Sequence, residues 1–212
     1  MKLAPTLRAP LVLGLFALAG ALLVAGIHQF TAPRIADNER RVLLRGIHDV
    51  IPEDAYDNDV LRDTVTVRDP RLGTDEPVTA YIARRRGRPV GIILPVVAPN
   101  GYGGAIHLLV GILADGTVGG VRVLSHKETP GLGDKIERSH SDWILAFTGR
   151  RLGDPPAARW AVKRDGGVFD QFTGATISPR AVVRAVKNAL LYFQENRERL
   201  FAESAEARAP KP

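Results

Sequence analysis

The segment Asp170-Gln171-Phe172-Thr173-Gly174-Ala175-Thr176-Ile177-Ser178-Pro179 places three hydroxyls just ahead of a helical pattern. Ser178 suits a helix N-cap and Pro179 the first helical position, which sets Thr176 immediately outside a helix N-terminus. Unpaired N–H groups and the helix dipole there favour a phosphate. The dipole contributes about 0.3–1 kcal/mol at exposed sites, enough to orient an anion but not to hold a ligand. A covalent ester on the threonine oxygen would remove the affinity problem. Gly174 and Ala175 leave that hydroxyl uncrowded. The plain alternative is a turn followed by a cap, with Thr173 and Thr176 as turn hydroxyls. These residues alone leave both open.

Two glycine-rich segments precede this one: Gly101-Tyr102-Gly103-Gly104 and Glu128-Thr129-Pro130-Gly131-Leu132-Gly133. Glycine permits close backbone approach to a flat ring, and equally a tight turn between strands. The chain has no cysteine, which excludes thiolate metal sites, iron–sulfur clusters and disulfides. Its histidines, His28, His48, His107, His126 and His140, show no metal-ligand spacing, so no metal site is expected.

Short β-like runs at 64–68, 78–84, 90–97, 106–114 and 118–124 lead up to these segments, with Asp115-Gly116 as a hairpin-turn signal. Short connections imply an antiparallel sheet. Residues 134–147 read as a helix, 159–163 as another strand, and 179–199 as a final helix with one apolar stripe. The expected fold class is α+β: an antiparallel sheet with packed helices, preceded by one N-terminal transmembrane helix.

Residues 9–27 are 19 consecutive uncharged residues, a helix of roughly 28 Å, close to a bilayer core. A cleaved signal peptide is the rival, with Ala17-Leu18-Ala19 as its cleavage site, but apolar residues continue to Ile27. Lys2 and Arg8 precede the run and favour a cytoplasmic N-terminus, while Arg40, Arg41 and Arg45 beyond it weaken that orientation. The formal charge of +6 is interspersed. Its densest cluster, Arg84-Arg85-Arg86-Gly87-Arg88, reads as a solvated hairpin turn, and no nucleic-acid partner is expected. The expected organisation is a cytoplasmic tip and anchor over 1–30, a helical connection over 31–59, the main domain over 60–200 and a flexible tail over 201–212.

Three of these segments together resemble the FMN-binding domain family. Residues 170–176 match its D-x-x-[ST]-G-A-T signature, with Thr173 where serine is common. Glu128 to Gly133 match its E-T-P-G-L-G loop, followed by the Lys135-Ile136 pair; Gly101 to Gly104 and the run 106–111 match its G-Y-x-G loop and next strand. The match spans roughly residues 10 to 200. The resemblance implies FMN joined through its phosphate to Thr176 by a flavin transferase that uses FAD. It implies Thr173 bonding the phosphate, Gly174 and Ala175 giving clearance, and Asp170 read by the transferase. Thr129 and Leu132 would touch the isoalloxazine ring, Glu128 its polar edge, and Tyr102 or Trp143 a face, although Trp143 could equally be a core aromatic. His126 is read as structural, and no catalytic residue is expected. Within the family, the pattern is most similar to an electron-carrying subunit of a membrane-bound, Rnf-type ion-translocating oxidoreductase. A subunit of the sodium-translocating NADH:quinone reductase and a membrane-anchored flavin reductase module are the alternatives. The implied partners are other subunits of the redox complex, the flavin transferase and a bacterial inner membrane, with the C-terminal domain on the periplasmic side.

Overall fold

The computed structural model describes the backbone of residues 5–206, so Lys2 and residues 207–212 of the expected tail lie outside the described residues. The chain divides into two compact units, Met1–Leu43 and Leu44–Pro212. Helix α1 (Pro5–Val50) joins the apolar run and residues 31–50 of the expected 31–59 helical connection in one element. Its stretch Leu13–Ala32 is long and apolar enough to cross a membrane, and none of it is buried within the protein. Leu13, Phe16, Leu22, Leu23 and Phe30 are all exposed. Each such side chain left in water forfeits roughly 1.5–3 kcal/mol relative to burial, a cost that lipid removes.

The second unit is built on a five-stranded antiparallel sheet in the order β1 (Thr64–Val67), β2 (Val78–Arg85), β3 (Arg88–Ala98), β4 (Ile106–Leu113) and β5 (Val118–Ser125). Each strand pairs with its predecessor, as short connections require. The β2–β3 turn holds Arg86 and Gly87 at φ 51° and 78°, the positive pair that a two-residue hairpin of matching twist needs. Strand alternation sends Ile92, Leu94, Val96, Leu108, Val110 and Ile112 into one core. Helix α2 (Ile177–Glu206) covers this side with Val182, Val186, Ala189, Leu190 and Phe193, and it takes in residues 201–206 of the expected tail.

A glycine platform lies elsewhere on the sheet and receives the last turn of α1. A Cβ on Gly111 would lie 2.5 Å from the Val50 carbonyl oxygen, and one on Gly119 2.6 Å from the same atom. On Gly120 it would meet the Asp49 carbonyl oxygen at 2.9 Å, and on Gly91 the Ile51 Cδ1 at 2.7 Å. Ile47, Val50 and Ile51 are fully buried as a result.

Three further expectations change. Residues 134–147 form two 3-10 turns, Gly133–Ile136 and Trp143–Phe147, in place of one helix. Between them Ser141 Oγ donates to the Lys135 carbonyl and Ser139 Oγ to Glu137, local bonds that compete with the helical ladder. Residues 159–163 form no strand: a 3-10 turn occupies Ala157–Arg159, and Val162 makes a single bridge to Phe169. The Gly166-Gly167 reversal leaves no length for more, with Gly167 pressed against the Ala161 carbonyl. Arg84 is not part of a solvated turn; it is 4% exposed and pairs with buried Asp63 at 2.9 Å.

Candidate functional site

The Asp170 to Thr176 segment reaches the sheet's helix through a tight turn. The Ala175 N–H donates to the Phe172 carbonyl at 3.1 Å, and Gly174 takes φ 81° at the third turn position, where a side chain would strain. The first half of the segment is pinned by Trp143, whose Nε1–H donates to the Asp170 carbonyl at 2.7 Å. The Trp143 ring meets Phe172 and Phe147 edge-on, at 5.3 and 5.4 Å between centroids. The Asp170 carboxylate faces outward onto Lys163 in an exposed pair.

Helix α2 begins at Ile177, and the Arg180 N–H donates to the Thr176 carbonyl at 3.3 Å. Thr176 is therefore the N-cap position, two residues earlier than the sequence suggests, and Ser178 lies inside the first turn. The N–H groups of Ile177 and Ser178 have no helical carbonyl to bond. Among the described residues, no hydrogen bond engages the Thr176 hydroxyl.

That helix start opens into a cavity of about 290 Å³. Gly174, Ala175, Thr176, Ile177 and Ser178 form one wall; Tyr102, Glu128, Thr129, Leu132 and Gly133 form the other. Sheet pairing places the two loops. The strand β4 continues from the first glycine loop, and β5 runs into the second. The second loop folds on itself as the Leu132 and Gly133 N–H groups both donate to the Thr129 carbonyl, with Pro130 and Gly131 (φ 76°) at the turn. Leu132, Ile177 and Tyr102 leave apolar surface open, at 42%, 45% and 71% exposure.

Glu128 ties the walls together and is 5% exposed. Its Oε1 accepts the Gly103 N–H at 3.0 Å, and its Oε2 accepts the Ser178 hydroxyl. Gly101 and Gly133 have no room for a side chain: a Cβ on Gly101 would lie 2.3 Å from the Gly104 carbonyl oxygen, one on Gly133 2.6 Å from Ser178 Oγ, and each 2.7 Å from a Glu128 oxygen. A Cβ on Gly103 would lie 1.8 Å from the Lys127 carbonyl oxygen. These three glycines therefore serve approach of protein to protein, whereas Gly131 and Gly174 serve turns. The Glu128 N–H donates to His126 Nδ1 at 2.9 Å, so Nε2 carries the ring proton toward Glu137 at 3.1 Å.

The structure thus brings together Thr176, Gly174, Ala175, Thr129, Leu132, Glu128 and Tyr102. It does not bring Thr173, which lies exposed at the turn and off the cavity wall. Trp143 supports the loop from outside the cavity. Ile177 and Ser178 are wall residues that motif reading misses; the Glu128–Ser178 bond spans 50 residues and has no local signal. Among the described residues no group of His and carboxylates could hold a metal ion.

Comparison with known proteins bears on the whole chain. A family model described as the FMN-binding domain matches residues 101–191, and one described as the RnfG N-terminal region matches residues 1–50. The chain is 55% identical over 197 residues to the G subunit of the ion-translocating oxidoreductase complex of Pseudomonas aeruginosa (strain UCBPP-PA14), covering 92% of each chain. It is 49% identical over 193 residues to the protein of that name from Vibrio atlanticus (strain LGP32), covering 91% of this chain and 92% of the relative. With the Shewanella baltica (strain OS223) protein the identity is 47% over 199 residues, covering 93% and 94%.

Proposed function

The chain belongs to the family of G subunits of ion-translocating oxidoreductase complexes, with an FMN-binding domain at 101–191, and on that premise we propose that it carries FMN esterified through phosphate to Thr176 and relays electrons within such a complex. The observation that carries this reading is the Thr176 hydroxyl, free of other bonds at a helix N-terminus and open to the cavity.

The residues present fit the group. The Ile177 and Ser178 N–H groups and the α2 dipole suit a phosphate, and the open apolar surface of Leu132, Ile177 and Tyr102 suits a flat ring. When bound, FMN supplies the redox chemistry, accepting and releasing electrons; the chain supplies attachment, orientation and electrostatics. A flavin transferase would place the FMN phosphate on Thr176 Oγ, the P–O–P bridge of FAD breaking with release of AMP and the hydroxyl proton passing to the transferase or solvent. Leu132 and Ile177 would exclude water from part of the ring. At about 290 Å³ the cavity falls just below the roughly 300–1,000 Å³ of typical ligand clefts, so a bound ring would stay partly open to a redox partner.

We place the stretch Leu13–Ala32 in the bacterial inner membrane, the N-terminus in the cytoplasm and the second unit on the periplasmic side. The partners are the other subunits of the complex and, for maturation, a flavin transferase. Intact mass tests the attachment. Protein co-expressed with a flavin transferase should exceed its polypeptide mass by one FMN minus water, and Thr176→Ala should lose both that mass and the fluorescence of the denatured band. Flavin retained in Thr176→Ala but lost in Thr173→Ala would move the attachment to Thr173.

A further inference from the structure

We propose that the buried Glu128 carboxylate sets the midpoint potential of the flavin at this site, holding it lower than a neutral side chain would; this rests on the FMN reading above. Glu128 is 5% exposed and lines the cavity that the ring must enter. Its two oxygens meet only neutral donors, the Gly103 N–H and the Ser178 hydroxyl. Among the described residues no Lys, Arg or His side chain pairs with it; His126 receives its backbone N–H instead. The remaining compensation is the N-terminal dipole of α2, equivalent to about half a positive charge. That same half charge faces the phosphate proposed at Thr176, so two anions share it.

The consequence follows from charge alone. Reduction places electron density on a ring beside an enclosed carboxylate whose compensation is made of dipoles. Because the carboxylate is buried, the two negative charges oppose each other more strongly than in water. Oxidised flavin is favoured and the midpoint falls. Glycine at 101 and 133 leaves the carboxylate its space, since a Cβ at either would lie 2.7 Å from one of its oxygens.

The test uses the full-length chain in detergent, loaded with flavin by a co-expressed transferase, and redox titrations followed by flavin absorbance at pH 8. In Glu128→Gln the amide oxygen still accepts from Gly103 and the amide N–H₂ donates to Ser178 Oγ, so the bonds survive and the charge goes. Its midpoint should move to more positive potential, while Glu128→Asp, which keeps the charge, should stay closer to wild type. Equal midpoints in wild type and Glu128→Gln overturn the proposal, as does an equal shift in both variants, which would mean geometry. If Glu128→Gln does not fold, Ser178→Ala serves: it keeps the charge and removes a compensating donor, so its midpoint should become more negative, and an unchanged value overturns the proposal. Wild-type protein without flavin would overturn the cofactor reading itself, whereas loaded protein with no shift overturns only the role of Glu128.

Discussion

Ser178→Ala removes the donor to a buried carboxylate oxygen and should lower the unfolding free energy by about 1–3 kcal/mol, the cost of an orphaned buried acceptor. Thr176→Ala removes a hydroxyl that holds nothing in the protein and should change stability by no more than about 0.5 kcal/mol. Denaturant titration of the two variants, beside their flavin content, should show opposite patterns: Thr176→Ala stable and dark, Ser178→Ala destabilised. Arg84→Ala leaves the Asp63 carboxylate buried without its guanidinium and should cost roughly 3–5 kcal/mol. Sequence reading can name Thr176, because the motif and the helix start are local. It cannot separate Thr176 from Ser178 as cap, since both are good cap residues, and the choice is made by Glu128, fifty positions away. Arg84 is hidden in the same way among its arginine neighbours, because burial of one charge depends on where Asp63 is brought by the β1–β2 pairing.

The elements most legible in the sequence are the five strands and α2, where short apolar runs bounded by turn residues and a helical stripe mark each one. The segment between β5 and α2 is less legible. Its 3-10 turns are held by side-chain bonds and by an aromatic cluster of Trp143, Phe147, Trp160, Phe169 and Phe172, none of which leaves a period. That cluster holds the segment ahead of Thr176 through Trp143 and Phe172. Trp143→Ala removes two edge-on ring contacts and the bond to the Asp170 carbonyl, and should destabilise the second unit by about 2–4 kcal/mol. It should also slow flavin attachment at a saturating transferase concentration, which time-resolved mass measurement would show. Unchanged attachment in a destabilised variant would separate the cluster's packing role from loop placement.

Whole-molecule stability should depend on pH through carboxylates held by specific bonds. The Arg71 guanidinium holds the Asp69 carboxyl below its usual range, the Thr117 N–H does so for Asp115, and Arg180 for Asp165. A lowered folded-state value means stability that is present above about pH 4, the ordinary aspartate range, and lost as pH falls through the lower folded values. Melting temperature should therefore be nearly flat from about pH 7 to 5 and drop below about 4, which calorimetry can follow. The glycine platform sets the shortest form that folds. A chain without residues 1–30 keeps Ile47, Val50 and Ile51 against Gly91, Gly111, Gly119 and Gly120, and should fold in water. A chain without residues 1–51 uncovers that platform, forfeiting roughly 1.5–3 kcal/mol for each lost apolar side chain, and should precipitate or bind hydrophobic dyes.

The strand order of the sheet is also its order of synthesis. Each strand of β1 to β5 meets a partner already made, so pairing advances with the emerging chain and needs no distant segment to wait for. The candidate site breaks that rule: Glu128 is made before α2, and its bond to Ser178 closes only when α2 arrives to cover the sheet. A ribosome stalled after residue 176 leaves the motif translated but its helix missing, with no N-terminal dipole and no second wall. If flavin is attached at Thr176 as proposed and loading needs that wall, flavinated molecules would be those whose covering helix is complete.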